Sequence, residues 1–485
     1  MDHDCCNSPS RMGWGGLFAA GCRRFAMRRA ETHEIAATHG THLVMAVQQL
    51  AAEDLNLGQV RPLVNEMSWF RLLLAVLLAM GAGRSWAQAG ASPDLPDRYR
   101  QDVAGARAQP EYDPHGIRFG SFVMQVNGDQ GVGYDSNPFA RAQSAEADAY
   151  YQAAASYRIT SDWGRHAVRS SGSANLRRYS VYRDQNVDEY RVAGGARIDM
   201  GDRLTISPEL EFAKQEEPRG VAGNLLTAGE PSVYRQFAAT VLGNYEGSQF
   251  DAEFQVFARQ LRYAPILLDG EQVSQRFRAS DRIGGRLTLN RRVSPSIAVL
   301  VQTTIDESKN PFEEFCCFRN ARGATLLAGV RIDPSGLVAG RLALGYRKRD
   351  FSGADRSSSG PTYDARIEWY PTELVTVRFS AEQEYQISGI AASSSALVDR
   401  QAIAADWEVL RNLLVTVQAE NQASSFREVD VRTRSRTCSI SATYTPGPRL
   451  QFSAFARAQF SSTNRSILAS DFDRFRAGLA VSFRL

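Results

Sequence analysis

The chain has 485 residues, with 56 Lys and Arg against 53 Asp and Glu, which gives a formal charge of +3. This length accommodates two or three ordinary domains or one large closed barrel. The basic residues are spread along the chain without a basic block, so nucleic acid is not expected as a partner. A mean hydropathy of -0.32 is compatible with a membrane β-barrel, because only alternate residues of its strands face lipid.

The front of the chain carries a secretion signal. Arg71 precedes an apolar stretch from Leu72 to Met80, and small residues lead to Ser85-Trp86-Ala87. This pattern predicts a signal peptide over residues 67–87, cleaved between Ala87 and Gln88. A membrane-spanning helix is the alternative, but it needs about twenty apolar residues.

The segments on either side of the signal peptide receive separate interpretations. A signal peptide belongs at the N-terminus, so we interpret residues 1–66 as translation from a start codon placed too early. Residues 88–116 contain several prolines among Ala, Gly, Asp and Arg. They are expected to form an extended periplasmic linker.

From residue 117 onward the chain alternates between apolar and polar side chains. Val375, Val377 and Phe379 alternate with Thr376 and Arg378. Strict period two over seven or more residues predicts strands that have one apolar and one polar face.

Eight tight turns punctuate these strands and are separated by longer polar segments. They are Ser161–Gly164, Met200–Asp202, Glu246–Ser248, Asn290–Arg292, Asp333–Gly336, Tyr370–Thr372, Arg411–Asn412 and Thr445–Pro448. Short turns on the periplasmic side and long loops outside are typical of outer-membrane barrels. We therefore predict an all-β fold over residues 117–485, a transmembrane antiparallel up-and-down β-barrel of about 18 strands. Sixteen is the alternative, because the turns at Asn290 and Arg411 are weak.

Aromatic residues lie near both kinds of connection. The set that precedes short turns is Tyr157, Tyr245, Trp369, Tyr370, Trp407 and Tyr444. The set beside long loops is Tyr134, Tyr179, Tyr190, Tyr263, Tyr346, Tyr363 and Tyr385. Two interfacial girdles produce this placement, whereas a soluble β-propeller or solenoid does not require it.

The last strand and a motif on the first strand suggest a family. On the last strand, apolar residues such as Phe475, Leu479 and Phe483 occupy alternate positions up to Leu485. A terminal strand of this kind is the signal by which the outer-membrane assembly machinery recognises such barrels. Gly131, Tyr134, Asp135 and Asn137 resemble the G-x-x-Y-D-x-N opening of the Putative beta-barrel porin 2 family. The resemblance implies an outer-membrane protein. Some members resemble products of exopolysaccharide-export operons, which implies transport of a polymer, and the family supplies no catalytic residue.

Candidate catalytic and metal sites are weak. Only His115 and His166 follow the predicted cleavage site, and neither lies where an outer-membrane hydrolase needs its base. Cys316, Cys317 and Cys438 lack C-x2-C spacing and His partners, so no metal or other cofactor is expected. We do not expect an enzyme.

The polar face of the strands carries many charges that we expect to line the lumen. The basic set is Arg169, Arg177, Arg191, Arg197, Arg286, Arg331, Arg341, Arg457, Arg474 and Arg476. The acidic set is Glu209, Glu211, Asp251, Glu253, Asp364, Glu368, Glu382, Glu384, Asp406 and Glu408. Members of the basic set near the two chain ends become neighbours when the barrel closes, and we expect them to form a basic wall. A network of mutually paired charges is the alternative.

Three functions remain open at this stage. The first is a porin-like channel for small hydrophilic solutes, including anions or saccharides. The second is an accessory barrel for exopolysaccharide export, working with polysaccharide and periplasmic export proteins. The third is a plugged structural or adhesive barrel. All three place the chain in the outer membrane, in contact with its lipid and lipopolysaccharide.

Overall fold

The computed structural model describes residues 104, 109–224, 229–268, 271–312, 319–332, 337–352, 357–465 and 470–485. The predicted signal peptide, its cleavage site between Ala87 and Gln88, and the segment 1–66 lie outside these residues. So do most of the linker and the pair Cys316 and Cys317.

The described chain consists almost entirely of strands. Their bounds are β1 Ile117–Phe119, β2 Phe122–Asp135, β3 Asp148–Ser161, β4 Ala167–Tyr179, β5 Val187–Met200, β6 Leu204–Glu216, β7 Val233–Glu246, β8 Phe250–Tyr263, β9 Ile266–Leu268, β10 Glu271–Val273, β11 Ser280–Ser294, β12 Ile297–Lys309, β13 Ala321–Ile332, β14 Val338–Phe351, β15 Ser357–Thr372, β16 Val375–Ile387, β17 Ser395–Leu410, β18 Leu413–Phe426, β19 Arg432–Gly447, β20 Leu450–Thr463 and β21 Phe472–Arg484. Two short 3-10 helices, Arg183–Gln185 and Arg276–Arg278, lie in connections. In the part of the chain that the structure describes, no helix is long and apolar enough to cross a membrane.

The long strands form one closed antiparallel barrel. Each pairs with its neighbours in chain order, and β2 closes the sheet by pairing with β21 as well as with β3. The short β1 continues the sheet beside β2, while β9 and β10 form a separate hairpin in a loop. The barrel therefore has 18 strands, and the predicted fold class is confirmed with the larger of the two strand numbers.

Two of the predicted turns are misplaced: Tyr370–Thr372 lies within β15, and one of the weak turns lies within β11. Asn290–Arg292 lies inside β11, and the chain reverses between Ser294 and Ile297. The polar run Asn290-Arg291-Arg292 looks like a turn, but these residues continue the ladder opposite Val299 and Leu300. Ladder pairing satisfies their backbone groups, so composition alone misleads here.

The two faces of the sheet differ as the alternation predicts. Val299, Val301 and Ile305 point outward and are exposed, whereas Leu300 and Gln302 between them are buried. Exposed aliphatic side chains in strict alternation fit an exterior that contacts lipid. Tyr370 departs from the predicted girdle: it is buried on the inner side, and its hydroxyl donates to Glu368.

The two ends of the barrel are unlike. Short connections such as Arg411–Asn412 join the strands at one end, which we call the turn end. Longer connections such as residues 136–147 and 180–186 lie at the other, which we call the loop end. β2 begins at the turn end and β21 finishes there, because an even number of alternating strands brings the chain back to the end where it started.

Candidate functional site: the barrel lumen

Strand register places the predicted lumen charges on the face opposite the exposed apolar side chains. Glu382, for example, lies opposite Asp364 and Arg400, and Arg341 opposite Arg331. Glu384 lines a lumen cavity at the loop end. The interior of the barrel is therefore densely charged.

Most of the predicted basic wall is neutralised by acids on nearby strands. Arg169 pairs with Glu209 at 2.5 Å, and Arg191 pairs with Glu211 at 2.5 Å. Arg177 pairs with Glu216, and Arg197 with Asp199 at 3.2 Å. The expectation of an uninterrupted basic wall is wrong along this part of the barrel, because β6 supplies three carboxylates within reach of β4 and β5, and β5 itself supplies Asp199.

The rest of the lumen follows the same pattern. Arg341 pairs with Asp364 at 2.7 Å, and Arg331 with Asp251 at 3.2 Å. Further pairs join Arg378 to Asp406 and Arg400 to Glu382. Arg286 instead donates to the Thr304 hydroxyl at 3.4 Å. Glu253 lies opposite Thr288 and Asn244, and Glu408 lies opposite Leu414.

Two arginines near the seam are different. Arg457 on β20 and Arg476 on β21 lie directly opposite each other in the ladder. Both are half-buried, and neither forms an ion pair with a carboxylate of the described residues. We call Arg457 and Arg476 the arginine pair. Like charges directly opposite each other destabilise a sheet, so the stability of the barrel does not explain the presence of this pair.

Arg474, two residues before Arg476, has a structural role. Its guanidinium donates to both oxygens of Asp135, at 2.9 and 3.1 Å from Nε and 2.5 Å from Nη2. Asp135 is fully buried and also accepts from the Tyr179 hydroxyl at 2.8 Å. Arg474 therefore contributes no free charge to the lumen.

The motif on the first strand builds the seam of the barrel at the loop end. Asp135 of β2 holds Arg474 of β21, and the Asn137 amide donates to the backbone oxygens of Arg141 and Asp473. Gly131 allows close approach of the strands, since a Cβ there would lie 2.7 Å from the Leu479 oxygen. Tyr134 points outward and is exposed. The motif joins the first barrel strand to the last.

Residues 217–224, which follow β6, fold inward instead of projecting from the barrel. The Arg219 backbone oxygen accepts from Gln459 at 3.0 Å, and the Ala222 oxygen accepts from the Gly389 amide at 2.9 Å. Gln459 and Gly389 belong to parts of the barrel that are remote from β6 along the sheet. We call residues 217–224 the bridging loop, because they cross the lumen at the loop end.

Buried arginines anchor the bridging loop and its partner, the connection 388–394. Arg278 is almost fully buried and contacts both Glu217 carboxylate oxygens at 2.5 Å. Arg319 donates to the backbone oxygens of Ser388 and Ile390 at 3.3 and 3.0 Å. Burial, reinforced by the nearby charge of Arg278, lowers the pKa of Arg319 to about 10.

An apolar cluster completes this contact. Ala222 packs with Ile390, Val398, Phe426 and Val431, all of them buried. Burial also lowers the pKa of Arg219, at the start of the loop, to about 10, with the charge of Arg474 as the next cause. Sequence reasoning missed Arg278 because its partner Glu217 is 61 residues away and no local pattern connects them.

Cavities lie on both sides of the bridging loop. One of about 220 Å³ is lined by Arg259, Tyr263, Arg282 and Arg349. The other, of about 370 Å³, is lined by Arg457, Gln422 and Gln459 of the wall and by Pro218 of the loop. In this second cavity the buried Nε of Arg457 and Nε2 of Gln422 have no hydrogen-bond partner.

The turn end has its own contacts. The Ala104 amide, in the predicted linker, donates to the Thr376 hydroxyl at 2.9 Å, and Arg484 donates to the Tyr112 oxygen at 2.9 Å. Thr376 is almost fully buried on the inner face of β16. The described part of the linker therefore touches the barrel wall at this end.

The remaining chemical candidates are structural. His166 lies in the first short turn with a positive φ, and its Nδ1 accepts from the Asp199 amide at 3.1 Å. Among the residues that the structure covers, no group of three or more His, Cys, Asp or Glu side chains is arranged to hold a metal ion.

The closed 18-strand barrel with a charged lumen and an apolar exterior defines the class of protein, a porin-like outer-membrane β-barrel. The chain belongs to the Putative beta-barrel porin 2 family, whose model matches residues 109–485. The resemblance carried by the motif on β2 is thereby confirmed.

The chain also has similarity to several solved structures, one of them an outer membrane protein. The chain is similar to OpdK of Pseudomonas aeruginosa, with 13% identity, a TM-score of 0.39, and coverage of 75% of this chain and 98% of that one. OpdO of the same organism gives 11% identity and a TM-score of 0.40, again with 75% and 98% coverage. OccAB2 of Acinetobacter baumannii gives 11% identity and a TM-score of 0.40, with coverage of 75% of this chain and 98% of that one. Comparison with curated proteins finds no match.

Proposed function

We propose that the barrel conducts small hydrophilic anions, with acidic saccharides as the preferred class, through a lumen that is narrowed at the loop end. The arginine pair carries this proposal. Most other charges of the lumen are neutralised by a neighbour, whereas Arg457 and Arg476 face each other without a carboxylate partner among the residues that the structure describes. Fixed cations at a constriction raise the local concentration of anions.

The polar lining next to the arginine pair supports saccharides as solutes. The cavity that contains Arg457 also contains Gln422, Ser435, Thr437 and Gln459. Amide and hydroxyl groups match the hydroxyls of a sugar, and the buried donors of Arg457 and Gln422 have no partner. Buried donors without a partner call for a water molecule or a ligand.

The bridging loop favours a small solute over a polymer. It occupies part of the loop end, and cavities of about 220 and 370 Å³ lie beside it. A polysaccharide chain in transit needs one continuous wide opening, so we rank accessory export of exopolysaccharide lower.

A plugged structural barrel is the second candidate. Two observations favour it: the buried contact of Ala222 with Ile390 at the loop end, and the hydrogen bond from Ala104 to Thr376 at the turn end. If both obstructions persist in the membrane, the lumen does not conduct.

Liposome swelling separates these candidates. Proteoliposomes are placed in isosmotic glucose or glucuronate, which have similar size and different charge. We expect wild-type protein to admit glucuronate a few-fold faster than glucose, because fixed cations concentrate anions. The variant R457Q/R476Q should lose this preference while still admitting glucose.

The matched control is R322Q, since Arg322 points outward and pairs with Glu307 at 3.1 Å. Its glucuronate-to-glucose ratio should equal that of wild type. Equal rates for both sugars in wild type contradict the anion proposal, and no swelling with either sugar supports the plugged barrel.

A further inference from the structure

Three arginines occupy alternate positions on the outward face of β19 near the loop end. Arg432, Arg434 and Arg436 are exposed and share a face with Ile440 and Tyr444, which are also exposed. Alternate residues of a strand point to the same side, so these guanidinium groups project away from the lumen. We call the three residues the arginine stripe.

In the described part of the chain, the arginine stripe has no acidic partner. Arg434 lies opposite Ala423 and Ser462 on the flanking strands, and Arg436 lies opposite Asn421 and Phe460. None of the three guanidinium groups forms an ion pair or hydrogen bond with the described residues.

Four outward basic residues elsewhere at the loop end are paired with acids, although Lys214, opposite Arg235, is another outward cation there. Arg178 pairs with Asp188, Arg262 with Asp281 at 2.7 Å, Arg322 with Glu307 at 3.1 Å and Lys348 with Asp350 at 3.1 Å. These pairs reduce the net charge that the barrel presents to its surroundings. The arginine stripe is a local concentration of positive charge without such compensation.

Along the barrel axis, the arginine stripe lies at the edge of the expected apolar band that is nearer the loop end. Tyr444 lies at the turn end of β19, eight to twelve residues from the stripe. With a rise of about 3.3 Å per residue and a tilt of about 40°, the stripe lies about 20 to 30 Å from Tyr444 along the barrel axis. The apolar band of such barrels is about 25 Å tall. The stripe therefore crosses from the end of this band into the headgroup region.

We propose that the arginine stripe binds the phosphate groups of a phosphorylated glycolipid of the outer leaflet. A guanidinium group binds phosphate through two parallel hydrogen bonds. Neighbouring members of the stripe are about 7 Å apart along the strand, so two of them can contact separate phosphates of one headgroup. Asn421 and Ser462 flank the stripe and can bond to the sugar.

The surrounding side chains favour a lipid over a free anion. Phe460 and Ile440 are exposed on the same outer face, where acyl chains of a bound lipid can cover them. A free phosphate ion gains nothing from these apolar contacts. The site lies on the outside of the barrel, so it goes beyond the proposed solute and does not depend on it.

Binding is tested with purified barrel, bisphosphorylated lipid A and native mass spectrometry. The variant R432Q/R434Q/R436Q should retain at least about tenfold less lipid A than wild type, since charge-assisted hydrogen bonds are lost. R178Q, which changes an outward arginine that already has an acidic partner, should bind as wild type. Dephosphorylated lipid A should bind wild type as weakly as the triple variant binds the intact lipid.

Faster migration of unheated samples on a detergent gel shows that each variant is folded, and R434Q alone provides a milder change. Equal retention by wild type and a folded triple variant overturns the proposal. So does equal binding of the dephosphorylated lipid. Displacement of lipid A by an equal concentration of inorganic phosphate assigns the stripe to a free anion and also contradicts it.

Discussion

At the scale of single residues, the charged side chains of the lumen differ in whether they form ion pairs. Asp135 and Arg474 form a buried pair that joins the first barrel strand to the last, while Arg457 and Arg476 remain without a carboxylate. Sequence alternation identifies the three arginines as inward, because the period of two is strict. Alternation cannot distinguish a paired charge from a free one, since pairing depends on which strands become neighbours and how they are staggered.

The buried pair gives a stability prediction. Asp135→Ala leaves the Arg474 guanidinium buried without its counter-ion, and removing one member of a buried pair costs about 3–5 kcal/mol. We expect the free energy of unfolding in urea, measured by tryptophan fluorescence in lipid vesicles, to fall by this amount.

The matched control for that variant is Asp188→Ala. Asp188 pairs with Arg178 on the outer surface, where the side chains are 53% and 42% exposed. An exposed pair contributes about 0–1 kcal/mol. Similar losses in the two variants contradict the role assigned to Asp135.

At the scale of elements, most strands could be predicted and the inward loop could not. Strands such as β16 and β21 follow from alternating side chains, and the short turns from their Gly, Pro and Asn residues. Residues 217–231 look like any polar surface loop, because Pro and Gly give no direction. The inward path of residues 217–224 depends on Arg278, Ile390 and Gln459, which are distant in sequence.

The close packing of the bridging loop gives a conductance prediction. A Cβ at position 389 would lie 2.0 Å from the Gly223 backbone oxygen. Gly389→Ala must therefore displace the bridging loop from the connection 388–394. We expect a higher single-channel conductance in planar bilayers, because the passages at the loop end widen.

Gly360→Ala is the control, since nothing lies within 4 Å of a Cβ at that position. It should conduct as wild type. Unchanged conductance in a folded Gly389→Ala variant argues against the bridging loop as the narrowest part of the lumen.

At the scale of the whole molecule, barrel closure determines which residues meet. β2 pairs with β21, so residues separated by almost the whole barrel sequence form the seam and the arginine pair lies beside it. The outward face is as informative as the lumen. Arg432, Arg434 and Arg436 have no ion-pair partner among the described residues, and this is unusual because lipid is the expected neighbour of that face. Both conclusions require the register as well as the sequence.

The maturation of the chain remains a prediction from sequence. We expect the mature protein to begin at or near Gln88, because the apolar stretch after Arg71 ends in Ser85-Trp86-Ala87. N-terminal sequencing of protein extracted from outer membranes gives the answer. A mature chain that still contains Cys5 and Cys22 contradicts both the cleavage site and the start at Met67.

The central claim, that the arginine pair makes the lumen prefer anions, is tested most directly by the reversal potential in planar bilayers. Under a tenfold gradient of potassium chloride, wild-type protein should give a potential of the sign for anions, and the magnitude should fall as total salt rises. R457Q/R476Q should move the potential close to zero, while R322Q should leave it unchanged. A wild-type channel without ion preference, or a double variant with wild-type selectivity, contradicts the account.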